Sequence, residues 1–555
     1  MFNFQIFSIL ILSFIILSLS TGAFPIAGVD EGRFAQSSAN MLADMNFIVP
    51  FFDGEMRLEK PILFYWEQVL SFLVFGNTEF AARLPSILTG TGMVYLAYIL
   101  GSIQGTPIFA SLIILSSLGL NIFSKIAITD MSFSFFLSAN LAFFFLSYFH
   151  KTKASHIFNR QSIDTRIYFY ISAIFLALAI LCKGPLALII SSLVIFIFLI
   201  QEKEVLHFFS NKKYDALAAL ILVSAIVLPW YILIHQNTAG AFTESFFLND
   251  NINRFFTTMS KHKGPFWFYI PSTLLLLFPW SFFIPQAILG DTSSSKISRI
   301  HITDHTNSLK RFALIWFAVV FIFFSLAQTK LITYILPLII PLSLLIAKYC
   351  SNLINNDNKN SGNKSPSLYF SFLGIFLSLP ILAFIAMSFF SDALNKLNNN
   401  DISFFIILIS IIFSCSILIA ITALKENSKF SFSILIISSL IAFNMFINFI
   451  GIPIFKSMDK GIQDFCLNNY DKSSKIFTYK LERGSIGFYC NTKVSQINKK
   501  NDVSSLIDKI NKFYIIVRKK DLEALKEITN TDNSEYIFNT VKENQDYLFL
   551  RAHTN

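Results

Sequence analysis

The chain has 555 residues, 54% of them hydrophobic and only 14% charged, and 65 are phenylalanine. Soluble domains run at roughly 45–50% apolar and about 25% charged, so a soluble globular enzyme, a disordered chain and a disulfide-stapled secreted domain are all excluded. The mean hydropathy of +0.59 leaves a polytopic membrane protein. The net charge of +10 would suggest nucleic acid in a soluble protein. Here the excess of Lys and Arg in the cytoplasmic loops of bilayer proteins accounts for it, and no nucleic-acid partner is expected.

A bilayer span needs about 20 mostly apolar residues. Phe4–Phe24 lacks a basic leader and a clear cleavage site and reads as a retained first span. The long segment Pro25–Arg83 follows. Apolar residues recur at helical spacing at Phe34, Met41, Leu42 and Met45, and again at Ile62, Leu63, Tyr65, Trp66, Val69, Leu70 and Leu73. Two amphipathic helices on the membrane face would produce both stripes. Further spans centre on 84–101, 106–124, 130–149, 167–183, 185–201, 215–235, 267–289, 312–328, 331–349, 367–390, 403–424 and 430–453, about thirteen in all. The basic loops His150–Arg166 and Asp291–Arg311 then fall on one side, the cytoplasm. Gln236–Pro265 and the polar tail fall outside.

The tail, from about 456 to 555, has soluble-domain composition. Lys475–Lys480, Gly487–Cys490 and Phe513–Val517 predict strands, and Leu506–Lys512 and Asp521–Ile528 predict helices. The domain reading is a membrane domain over 1–455, with 25–83 as its first outer loop, and a small α/β domain over 456–555. Five cysteines are too few for a disulfide framework. Cys466 and Cys490 could pair if the tail is exported; otherwise they are two free thiols.

The residues able to carry chemistry gather at one face. Asp30-Glu31-Gly32-Arg33 follows the first span, and its bland reading is a helix cap with acidic first-turn residues. Glu59-Lys60-Pro61 precedes the second amphipathic helix, where a proline suits the first helical position. Lys125 and Asp130, Lys183, and Lys330 with Tyr334 sit at three outer turns. A single Lys near a span end ordinarily snorkels to the interface. Together, Arg33, Lys60, Lys183 and Lys330 with Asp30 and Asp130 form a charged cluster at similar depth. Such a cluster suits a lipid-linked phosphate, above all as charge builds on a leaving phosphate.

With these residues in view, DEGRFAQSSANML, RLEKPILFYW and EFAARLPS resemble the lipid A aminoarabinose transferases and the related protein O-mannosyltransferases. KIAITDM (125–131), LCKGPLAL (181–188), the stretch within 253–271, SLAQTKLITYILP (325–337), IGFYCNTKV (486–494) and FYIIVRKKDLEAL (513–525) fit in order. These are GT-C-type membrane glycosyltransferases that use a polyprenyl-phosphate sugar. The resemblance implies an all-α polytopic protein of the bacterial inner membrane, multi-pass, with its active site and α/β tail in the periplasm. It implies transfer of a sugar, such as 4-amino-4-deoxy-L-arabinose, from an undecaprenyl-phosphate donor to lipid A of lipopolysaccharide. A protein or polysaccharide acceptor is the alternative; a transporter or flippase and a membrane scaffold are the readings from other classes. Asp30 matches the family's essential first-loop acid, Arg33 and Lys60 match donor-phosphate contacts, and Lys330 and Tyr334 match a segment lining the lipid-phosphate cavity. From the charged cluster, Asp130 is expected as a second catalytic acid and Lys183 as a further phosphate contact, and Glu31 and Tyr65 would face substrate. Glu59 and His262 match a pair that holds a divalent metal, expected in a structural role. The family's second proline after EKP is Ile62 here.

Overall fold

The computed structural model describes residues 4–26, 28–150, 165–211, 213–247, 253, 264–289, 304–357, 366–389, 400–424, 427–497, 512–529, 536–543 and 546–554. Helix α1 (Phe4–Ser18) enters the membrane domain. The long segment after it folds into α2 (Val29–Ala43), a two-stranded hairpin of β1 (Phe51–Phe52) and β2 (Glu55–Met56), and α3 (Leu63–Phe75). Helices occur at both places where the stripes predicted them, the second apolar nearly all round, with Leu70 and Leu73 exposed. The hairpin turns on Asp53 and Gly54, both at positive φ, a turn the apolar pattern did not reveal.

Helices α4 (Glu79–Ile103), α5 (Pro107–Leu115), α6 (Leu118–Phe123), α7 (Thr129–His150), α8 (Thr165–Lys183) and α9 (Leu186–Gln201) follow. Among the described residues nine helices are long and apolar enough to cross a membrane, or ten if one bent pair is a single span. The sequence count of about thirteen also takes in α1 and α9, which are 15 and 16 residues long. The span expected over 106–124 is broken into α5 and α6. The one expected over 267–289 bends by 109° between Phe266–Leu276 and Trp280–Leu289. Gly184, at φ +73°, makes the turn between α8 and α9 that was expected beside Lys183. α7 is the most buried of these spans, 83% within protein, so its N-terminal end is fixed from several sides.

The last membrane helix, Ser428–Phe446, runs through a π turn into Ile452–Asn468, so continuous helix crosses the expected domain boundary. The tail sheet has the order β4-β3-β5-β7-β6. β3 (Lys475–Tyr479) pairs in parallel with β4 (Val494–Ile497) and β5 (Lys512–Arg518); β7 (Tyr547–Thr554) is antiparallel to β5 and to β6 (Tyr536–Glu543). Two expected strands and the helix Leu522–Thr529 are found. The helix expected over Leu506–Lys512 lies outside the described residues up to Lys512, which opens β5. The strand expected over Gly487–Cys490 is instead part of a helix, Gly484–Cys490. The reason is tertiary: this helix lies across α2, and glycines let the two backbones touch. A Cβ on Gly484 would stand 2.3 Å from the Gly32 carbonyl carbon, and one on Gly487 2.0 Å from Gln36 Nε2. Cys466 and Cys490 are disulfide-bonded, joining the helix Ile452–Asn468 to the helix that touches α2.

Candidate functional site

The cap position of α2 is Gly28, at φ +74°, so Asp30 is not the cap. Asp30 and Glu31 share the first turn but point about 100° apart. The Asp30 side chain is 71% exposed, whereas Glu31 is 3% exposed. Arg83 of α4 donates from Nε to Glu31 Oε1 at 2.8 Å and from Nη2 to Oε2 at 2.9 Å. Arg83 Nη1 and Nη2 also reach the carbonyls of Thr21, Phe24 and Pro25, and the Ala127 amide donates to Glu31 Oε1. Glu31, expected to face substrate, is thus engaged in tying α1, α2, α4 and the α6–α7 turn together. Arg83 went unassigned in the sequence, although a charge inside an apolar run is itself a signal.

Arg33 stands one turn on. Its Nε donates to Glu482 Oε1 at 2.8 Å, and Nη2 reaches the same oxygen. Nη1 lies 3.7 Å from Asp30 and 3.9 Å from Glu59. Burial opposes the guanidinium charge, but Glu482, Glu59 and Asp30 outweigh it and raise the Arg33 pKa above its ordinary value. Arg57, buried at 6% exposure, approaches Glu59 at 3.9 Å and lies 4.3 Å from the Phe34 ring centre and 5.7 Å from that of Tyr65. Tyr65 itself is fully buried between Phe34 and Arg57, and burial pushes its hydroxyl up to about 12. It supports the arginine from beneath rather than opening to solvent. Lys60 is half-buried, with Nζ donating to the Glu59 carbonyl at 3.0 Å.

The second group sits where the start of α7 meets the end of α8. Lys183 Nζ bonds Asp130 Oδ1 at 2.6 Å, with both side chains mostly buried. The ammonium lies 5.0 Å from the Phe133 ring centre and 4.8 Å from that of Tyr334. Lys183 therefore does not snorkel; the acid and the rings draw it inward. Lys60 acts electrostatically on the same Asp130 carboxylate, which links this pair to the first loop. Lys330 is turned elsewhere. Its Nζ donates to the carbonyls of Phe324 and Ser325, at 2.9 and 2.5 Å, capping the helix Asp304–Leu326. Cations are favoured at helix C-termini because the last carbonyls lack partners. Lys125 does likewise for α1, donating to the carbonyls of Ile16, Leu17 and Leu19. The Tyr334 ring packs on Phe324, 5.2 Å away.

His262 lies outside the described residues, so the expected metal pair is represented by Glu59 alone. Its carboxylate already faces two guanidinium groups, and no cluster of three or more His, Cys, Asp or Glu able to hold a metal occurs among the described residues. An apolar groove of about 710 Å³ runs between α9 and the helix Asp304–Leu326, lined by Leu193, Ile197, Ile315, Val319, Ile322 and Leu326. Its Leu326 end comes close in sequence to Lys330 and Tyr334.

These features define a polytopic membrane protein with a charged cluster at one end of its apolar helices and a braced α/β tail. Residues 6–243 match the family model described as dolichyl-phosphate-mannose-protein mannosyltransferase. The chain is 32% identical over 332 residues to an undecaprenyl phosphate-alpha-4-amino-4-deoxy-L-arabinose arabinosyl transferase of Yersinia enterocolitica, and 30% over 340 residues to one of Shewanella sediminis. The matches cover 59% and 60% of this chain and 55% and 57% of those proteins, so the chain spans a little over half the length of the curated relatives it matches. The crystal structure of ArnT from Cupriavidus metallidurans bound to undecaprenyl phosphate superposes with a TM-score of 0.76 at 16% identity, over 99% of this chain and 98% of that one. The resemblance read from the sequence motifs is borne out, and the fold is similar to that of the ArnT structure.

Proposed function

We propose that this protein is an integral-membrane glycosyltransferase. It moves a sugar from a polyprenyl-phosphate donor to lipid A on the periplasmic face of the bacterial inner membrane, and 4-amino-4-deoxy-L-arabinose is the sugar that the curated relatives' names suggest. The single observation that carries the reading is the placement of Arg33 beside Asp30 and Glu59, with Arg57 and Lys60 also at Glu59 and the Asp130–Lys183 pair within electrostatic reach of Lys60, at the ends of apolar helices. Lipid-linked donors present their phosphate at that depth, and the apolar groove suits a polyprenyl chain.

The chemistry follows from charge. The leaving polyprenyl phosphate gains negative charge in the transition state, and fixed cations of Arg33, Lys60 and Lys183 stabilise it without reorganisation. Asp30, exposed and close to Arg33, is placed to steady the sugar's developing positive charge or to orient the acceptor. A lipid phosphate acceptor is already ionised at neutral pH and needs orientation more than deprotonation. Lys330 and Tyr334 act one step back: Lys330 fixes the end of a groove helix, and the Tyr334 ring flanks Lys183. The family model's description supports a second reading, transfer to a protein acceptor. Purified protein given a synthetic polyprenyl-phosphate aminosugar and lipid A should yield modified lipid A by mass spectrometry. Transfer only to protein would favour the second reading, and no transfer from any polyprenyl-phosphate sugar would refute both.

A further inference from the structure

We propose that Glu482 of the tail is the resident counter-ion of Arg33, and that a substrate phosphate exchanges with it on the same guanidinium edge. The inference rests on the polyprenyl-phosphate reading above. Glu482 Oε1 accepts from both Nε and Nη2 of Arg33. That is the edge on which a guanidinium grips a phosphate, with charge-assisted hydrogen bonds. Nη1, the remaining corner, faces Asp30 and Glu59 at 3.7 and 3.9 Å.

Charge counting points the same way. Among the described residues Arg33, Arg57 and Lys60 stand around Asp30, Glu59 and Glu482, and Glu482 also acts electrostatically on Asp53. Withdrawing Glu482 makes this cluster more positive by one charge, which favours an incoming anion. The carboxylate is free to leave, since its side chain is 38% exposed. Its neighbour Arg483 is held separately, with Nη1 3.9 Å from the buried Asp459. The helix that follows is fixed by the Gly32–Gly484 contact and by the disulfide at Cys490. Glu482 can therefore rotate off Arg33 while the backbone of the tail stays docked. The tail thereby supplies an anion that keeps Arg33 oriented between turnovers and tunes affinity for the phosphate.

The test is binding of undecaprenyl phosphate to the purified full-length protein in detergent micelles, measured for wild type, Glu482→Gln, Arg33→Ala and the double variant. Exchange predicts that Glu482→Gln binds roughly fivefold more tightly, the scale of a partly exposed ion pair. It also predicts that this gain disappears in the Arg33→Ala background. Glu482→Asp, which keeps the charge but shortens its reach, should bind with intermediate affinity and covers the case in which Gln impairs folding. Unchanged or weaker binding by folded Glu482→Gln, with wild type binding normally, would overturn the exchange and leave the donor reading standing. The absence of binding by every form, wild type included, would overturn the donor reading and the exchange with it.

Discussion

Adjacent acids in the first turn of α2 should respond oppositely to loss of charge. Glu31→Gln removes one negative charge from a pair in which both partners are buried, at 3% and 0% exposure. Breaking such a pair by neutralising one partner typically costs about 3–5 kcal/mol, because the other charge stays buried and uncompensated. Here Arg83 would keep its carbonyl partners at Thr21, Phe24 and Pro25, which places the cost at the lower end, about 3 kcal/mol. Asp30→Asn changes a side chain that is 71% exposed and whose ion pair with Arg33 spans 3.7 Å. A pair of that kind contributes at most about 1 kcal/mol. Glu31→Gln should therefore lower the temperature at which the detergent-solubilised protein loses its monodisperse peak, and activity should fall only in proportion to folded protein. Asp30→Asn should leave that temperature within a degree or two and still cut sugar transfer by about a hundredfold or more, the scale of a lost transition-state charge interaction. An Asp30→Asn protein with near-normal turnover, or a Glu31→Gln protein as stable as wild type yet inactive, would refute the assignment.

Arg33→Ala and Lys60→Ala should each lower kcat/KM by about a hundredfold, measured in the same transfer assay on protein that elutes normally. Lys183→Met should lower both activity and stability, because it strands Asp130 without its 2.6 Å partner; unchanged stability would contradict the buried pair. Burial pushes Asp53 up to about 6, against Gln36 and the Val494 amide, which favour its charge. A raised carboxyl pKa stabilises the fold fully below the unfolded value near 3.8 and loses that contribution as pH rises through about 6. Asp53→Asn keeps the bond from Gln36 and tolerates the φ of +50°. It should raise the unfolding temperature at pH 8 and not at pH 4, and an equal effect at both would count against the burial argument. Alkylation of the denatured, unreduced protein should leave Cys466 and Cys490 unlabelled; labelling of both would exclude the bridge. Reporters fused after Asn555 and within Ser351–Pro366 should report opposite sides of the membrane, and the same side for both would sink the topology.

Composition and periodicity alone determined that this is a polytopic membrane protein with two amphipathic helices in a long first loop and a small mixed tail. Those properties are local: a span needs length and apolarity, and an amphipathic helix needs a stripe. The charged motifs were legible for the same reason, since a charge beside an apolar run is conspicuous wherever it folds. What each charge does was decided by partners distant in sequence. Lys183 turned inward because Asp130 lies 53 residues away, and Lys330 turned to helix carbonyls rather than to the Asp130–Lys183 pair. Glu31 was claimed by Arg83, and Arg33 by Glu482, 449 residues on. The segment Gly487–Cys490, with aromatic residues suited to a strand, is helix where Gly484 lies against Gly32 of α2. Hydrophobic pattern sets which elements form and at what depth; only the packed structure sets which way a charged side chain turns, because a buried charge takes its direction from the partner that compensates it.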